Sequence, residues 1–169
     1  VDLRFIAGNH DYWVLDFMKK KLMNHTYFDD TTFSLRGKNF YITHGDGVLS
    51  WDYGYRILKK IIRSPFFIWC FRLLHPTLAY KIARKVSRTE NHPELPEEVR
   101  EKIRNELKKY ALTHFQKGFD YMVCGHYHLN EIIDVEKGKL AVLGDWQDDP
   151  SYAVFDGKEL TLHQWENDA

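Results

Sequence analysis

The sequence predicts a mixed α/β (α+β) fold, and three observations lead there. Apolar runs of strand length recur near the start and through the last third, several of them closing on a polar cluster. A long middle stretch instead carries apolar residues at helical spacing, broken by proline. At 169 residues, 44% hydrophobic and 15% aromatic, the chain can bury one core and suits one domain better than two.

The elements follow in order. "LRFIA" (residues 3–7) reads as a strand ending at the Gly8 turn, and residues 14–24 as a short amphipathic helix with Val14, Phe17, Met18 and Leu22 at helical spacing. "TFSLRGKNFYITHGD" alternates apolar and polar residues about Arg36-Gly37-Lys38-Asn39, a hairpin signal, and its second strand closes on His44 and Asp46. From Trp51 to about Ser87 the pattern is helical, rich in large apolar and basic residues and interrupted at Pro65 and Pro76. "HPELPEEVREKIRNELKKYALTHFQKG" places prolines and acids first, bases later and Gly118 last, as a surface helix does, with Tyr110 and Phe115 as core residues. "FDYMVCGHYH" is a further strand ending in polar groups, and "EIIDV", "KLAVLGDW", "YAVFD" and "LTLHQW" complete a run of short strands.

Lys plus Arg and Asp plus Glu both number 24, so net charge gives no reason to expect nucleic acid. Cys70 and Cys124 are too few for a disulfide framework, and their apolar surroundings predict reduced, buried thiols. No uncharged apolar stretch reaches the roughly 18 residues of a membrane-spanning helix. The opening residues, Val-Asp-Leu-Arg-Phe-Ile, read as the interior of a longer protein.

Three strand ends thus bear Asn9, His10 and Asp11; His44 and Asp46; and His126 and His128. Imidazole together with amide or carboxylate oxygen suits borderline divalent metals, and neighbouring carboxylates can orient the rings. Asp145, Asp148 and Asp149 are read as turn residues, and His25, His75, His92, His114 and His163 as ordinary ones.

"GNHD", "THGD" and "GHYH" resemble, in this order, the last three blocks of the calcineurin-like metallophosphoesterases. The resemblance implies a metallophosphoesterase-like β-sandwich flanked by helices, using two metal ions to hydrolyse phosphate esters and anhydrides. It makes Asn9, His44 and His126 ligands of one ion and His128 a ligand of the other. It makes His10 the catalytic histidine, with Asp11 holding its ring. The family's Asp-x-His and Gly-Asp blocks do not occur ahead of GNHD, so the resemblance implies an N-terminally truncated fold whose sheet a further segment or a second chain would complete.

Between Arg56 and Arg88 stand nine Lys or Arg and no Asp or Glu, interleaved with residues such as Ile61, Phe66, Phe67 and Trp69. That composition suits an anionic membrane interface or a cap over a lipidic, negatively charged substrate. The domain reading follows: residues 1–50 and 89–169 form the core, and 51–88 an inserted helical cap. "HGDGVLSWDYGYRILKK" followed by this segment resembles the UDP-2,3-diacylglucosamine hydrolases of lipid A synthesis. That likeness implies Mn2+ (two ions per complete site, other divalent metals possible), a nucleotide-sugar lipid substrate met by Asp52, Tyr55, Ser87 and Arg88, and a cytoplasmic location peripheral to the inner membrane. Asp52 as a helix start and Tyr55 as a packing residue remain open, as do another nucleotide or phosphodiester substrate and a non-catalytic binding scaffold.

Overall fold

The computed structural model describes residues 1–9, 11, 15–87, 95–146 and 150–165. Its largest sheet has five strands in the order β3-β4-β5-β7-β6. β3 (Thr31–Leu35) and β4 (Lys38–Thr43) form the expected hairpin, and Arg36 and Gly37 at its tip both take positive φ, 50° and 79°. That backbone matches the twist of the paired strands. β5 (Tyr121–Cys124) lies parallel to β4, and β7 (Gly138–Val142) parallel to β5, while β6 (Glu131–Val135) closes the edge antiparallel to β7.

The strand period of two assigns β5 to both cores. Met122 and Cys124 face a cluster with Ile103, Leu107, Ala111 and Phe115, which recur down one side of α5 (Glu97–Phe115). Tyr121, packed with Phe40, Ala141 and Leu160, lies in the second cluster, as does the half-buried Val123. Leu160 belongs to β9 (Leu160–Gln164), which with β8 (Ser151–Phe155) makes a hairpin on that second face. The sheet is therefore covered by a helix on one side and a hairpin on the other, an α+β arrangement.

A separate parallel pair joins β1 (Arg4–Ile6) to β2 (His25–Tyr27) through α1 (Leu15–Lys21). Here the structure corrects two expectations. The helix expected to run to residue 24 stops at Lys21, and three residues unmarked as a strand form β2. Asn24 explains both: its N–H donates to the Leu3 carbonyl at 2.9 Å and its side-chain oxygen accepts from the Leu3 N–H at 2.8 Å. The chain is thereby drawn back against β1 before a further helical turn can form.

The link from β4 to β5 carries α2 (Tyr53–Ile62), α3 (Pro65–Arg72), α4 (Pro76–Ser87) and α5. Pro65 and Pro76 each open a helix, where the missing N–H is no loss. Ser64 caps α3 by accepting from the Phe67 N–H at 3.2 Å. α2 and α3 bury no residue, and Phe66 and Trp69 are 75% and 60% exposed. Cys124 is buried as expected, Cys70 only half-buried, and both thiols are free. No helix among the described residues is long and apolar enough to cross a membrane.

Candidate active site

The register of the parallel strands builds the site. Thr43 is paired with Cys124, and Cys124 with Val142, so β4, β5 and β7 all end at one sheet edge. In open α/β sheets that carboxyl edge is where ligands bind. The residues emerging there are His44 from β4, His126 and His128 from the turn after β5, and Asp145 shortly after β7. The His44 and His126 rings lie 5.1 Å apart between centroids.

The chain just after β1 brings a further donor. Asn9 Oδ1 stands 2.9 Å from His44 Nε2. The approach is close because Gly8 has no side chain: a β-carbon there would lie 2.9 Å from His44 Cε1 and 3.2 Å from an Asp11 carboxylate oxygen. The Asp11 carboxylate is thus placed beside Gly8 and the His44 ring. His10, whose ring Asp11 was expected to hold, lies outside the described residues.

The turn after β5 is strained. His126, His128 and Asn130 adopt φ of 64°, 48° and 52°, in the left-handed region that side chains with a β-carbon rarely enter. Such strain persists where the surroundings over-determine it and clusters at functional sites. The Tyr127 hydroxyl fixes this turn to the one after β4 by donating to the Gly45 carbonyl at 2.9 Å.

Burial pushes the His44 imidazole below its ordinary pKa, against the opposing pull of Asp46 and Asp11. Burial, with the neighbouring His44, pushes His126 down to about 4. Both rings are therefore neutral near pH 7, the form in which imidazole nitrogen can donate to a metal. His128 is exposed, and its Nδ1 lies 3.3 Å from an Asp145 oxygen. Asp145, read from the sequence as a turn residue, is instead this ring's carboxylate partner. Its signal was available, since it follows a strand end just as the histidines do. Asp148, Asp149 and His92 lie outside the described residues.

Asp52 caps α2, accepting from the Tyr55 N–H at 3.2 Å. Tyr55 faces the site from α2, with its ring 5.7 Å from that of His126 and its hydroxyl donating to Asp46 at 3.1 Å. Ser87 ends α4, but its side chain and the whole of Arg88 lie outside the described residues. The sequence reading left Asp46 without a role. The structure makes it a buried carboxylate held by Lys59 at 3.0 Å and Arg63 at 3.2 Å. Burial alone would raise its pKa, but these cations outweigh that and hold it below the usual carboxylate value.

Among the described residues, no three His, Cys, Asp or Glu side chains form a group that could hold a metal ion. Counting the amide oxygen of Asn9, two neutral imidazoles and one oxygen gather at the edge, a donor set of the type that borderline divalent ions take.

What this edge defines is an α+β protein with a polar, histidine-bearing site at the carboxyl ends of its parallel strands. The chain is 32% identical over 185 residues to a UDP-2,3-diacylglucosamine hydrolase of Porphyromonas gingivalis, covering 99% of this chain and 70% of that protein. It is 28% identical over 145 residues to the hydrolase of the same name from Pseudomonas putida, covering 82% of this chain and 59% of that one. With the Aeromonas salmonicida hydrolase of that name it shares 27% over 169 residues, covering 97% and 66%. The chain belongs to the family of UDP-2,3-diacylglucosamine hydrolases. It spans 59% to 70% of the length of these relatives. No family model matches it.

Proposed function

We propose that the chain carries part of the active site of a calcineurin-like metallophosphoesterase that hydrolyses the diphosphate of UDP-2,3-diacylglucosamine. Water adds across one P–O bond of the diphosphate, releasing UMP and 2,3-diacylglucosamine 1-phosphate. The observation that carries this reading is the meeting of Asn9, His44 and His126 at one sheet edge, with Tyr55 of α2 reaching the same place.

In this reading Asn9, His44 and His126 would hold one divalent ion, manganese by preference, and His128 would contribute to a second. Such ions polarise phosphoryl oxygens and lower the pKa of bound water. The protein's own part is to keep His44 and His126 neutral by burial, to orient His128 through Asp145, and to hold the two turns together through Tyr127. His10 would stabilise the transition state or protonate the leaving oxygen with Asp11 holding its ring, and Asp52, Tyr55, Ser87 and Arg88 would line the approach of the substrate.

Residues 51–88 would act as the cap over the acyl chains and as the contact with an anionic membrane at the cytoplasmic face. The outward apolar side chains of α2 and α3, set among basic residues, support that part. The test is manganese-dependent UMP release by the full-length protein from UDP-2,3-diacylglucosamine, beside UDP-N-acetylglucosamine. Strong preference for the acylated substrate is expected. Equal cleavage of both would remove the lipid from the reading, and cleavage of an unrelated phosphodiester alone would replace the substrate.

A further inference from the structure

Asp46 is the charged group that the proposed chemistry does not use. Its side chain is only 4% exposed, yet three donors converge on it. Tyr55 donates its hydroxyl to Oδ2 at 3.1 Å, Lys59 pairs with Oδ1 at 3.0 Å, and Arg63 reaches Oδ2 at 3.2 Å. The Lys59 ammonium also donates to the Asp46 backbone carbonyl at 2.8 Å. Positions 55, 59 and 63 recur every four residues, so they form one stripe down α2 and the residue that ends it.

α2 buries no side chain of its own, so apolar packing does not fix it on the body of the protein. All three side chains of this stripe meet the turn bearing His44 at one residue, on the Asp46 carboxylate and, from Lys59, on its backbone carbonyl as well. The same group borders, with His44, Lys59 and Arg63, a cavity of about 190 Å³.

We propose that Asp46 is a positioning residue, whose carboxylate sets the placement of α2, and with it Asp52 and Tyr55, against the His44–His126 edge. An amide in its place keeps the shape but turns an N–H2 toward Lys59 or Arg63, both of which can only donate. The helix then keeps only the Lys59 bond to the backbone carbonyl of residue 46, while the core between α5 and the sheet is untouched. The kinetic form of this inference rests on the substrate proposed above; the anchoring itself does not.

The experiment compares Asp46→Asn with wild type in the full-length protein by amide hydrogen exchange and by steady-state kinetics on UDP-2,3-diacylglucosamine. Exchange across residues 53–63 should quicken about tenfold or more while α5 keeps its protection. KM should rise about tenfold, with kcat within about threefold of wild type. Arg63→Gln removes one of the two cationic partners and should give the same pattern at smaller size, which serves if Asp46→Asn does not fold. Unchanged exchange in α2, matching loosening of α5, or a loss confined to kcat would each overturn the assignment. If wild type does not turn over this substrate, the substrate reading fails, and the exchange comparison alone decides the role of Asp46.

Discussion

Gly8→Ala is the smallest change that should reach the candidate site. An ideal β-carbon at this position stands 2.9 Å from His44 Cε1 and 3.2 Å from His44 Nδ1. Carbon atoms rest at about 3.5–4.0 Å, so the ring must retreat by about 0.6–1.1 Å or the backbone of β1 must yield. The ring cannot retreat freely, because its Nε2 lies 2.9 Å from Asn9. Misplacing a reacting group on the order of 1 Å costs about 10²-fold in rate, so kcat/KM should fall by about that factor. Strain from forced overpacking runs to about 1–3 kcal/mol. In a domain of this size about 2 kcal/mol lowers the melting midpoint by roughly 4–8 °C. Gly54→Ala is the control: nothing lies within 4 Å of its added carbon, and it sits inside α2. Relieving a helical glycine should stabilise by about 0.5–1 kcal/mol. The measurements are UMP release, metal content after dialysis, and thermal melting. If Gly8→Ala keeps wild-type turnover and metal content, the argument that His44 needs a bare backbone beside it is refuted.

Other changes separate the roles assigned to neighbouring groups. His126→Ala and Asn9→Ala should abolish turnover and lower bound metal, whereas His10→Ala should slow turnover with metal retained; elemental analysis beside kinetics distinguishes them, and equal metal loss in all three would contradict a separate role for His10. Replacing Phe66 and Trp69 by Ser should raise KM for the acylated substrate and leave cleavage of a small phosphodiester unchanged, because neither ring is in the core. Gly138→Ala should destabilise by about 1–3 kcal/mol in denaturant titration, since its β-carbon would fall 2.5 Å from Cγ of the buried Phe115. Phe115→Leu in the same chain should recover part of that loss, because the two positions share one space.

What was legible in the sequence was local. Arg36-Gly37 announced the hairpin because a primed turn needs positive φ, and Pro65 and Pro76 marked helix starts because proline tolerates only the first turn. His44 and His126 could be read as strand-end residues, but their adjacency depends on β4 and β5 being parallel neighbours in register, which is separated in sequence by the whole of α2 to α5. β2 escaped for a related reason. Three residues carry no period, and His25–Tyr27 is a strand only because β1 lies beside it. Asp145 carries the same strand-end signal as the histidines, but a turn residue and a ring-orienting carboxylate look alike until β7 is known to lie next to β5. Asp46 was invisible as an anchor, since its three partners become one stripe only once α2 is folded back over the His44 turn.

The contrast between α5 and the helices before it bears on how residues 51–88 are to be read. α5 is the more charged sequence, yet it buries Ile103, Leu107, Ala111, His114 and Phe115, because it lies along the face of the sheet. α3, "PFFIWCFR", is far more apolar and buries nothing. Apolar side chains contribute to folding in proportion to the area they remove from water, about 25 cal/mol per Å². Phe66 and Trp69, at 75% and 60% exposure, therefore contribute little to the core. Core burial does not account for these two rings, whose centroids lie 6.4 Å apart on the outside of α3, and neighbouring exposed apolar side chains are the kind of surface that interaction sites use. The absence of acidic residues from Arg56 to Arg88 adds a second constraint. On the reading proposed above, what meets this surface offers both apolar contact and negative charge, which an acylated nucleotide sugar or an anionic lipid does, whereas an unacylated sugar nucleotide brings the charge without the apolar chains.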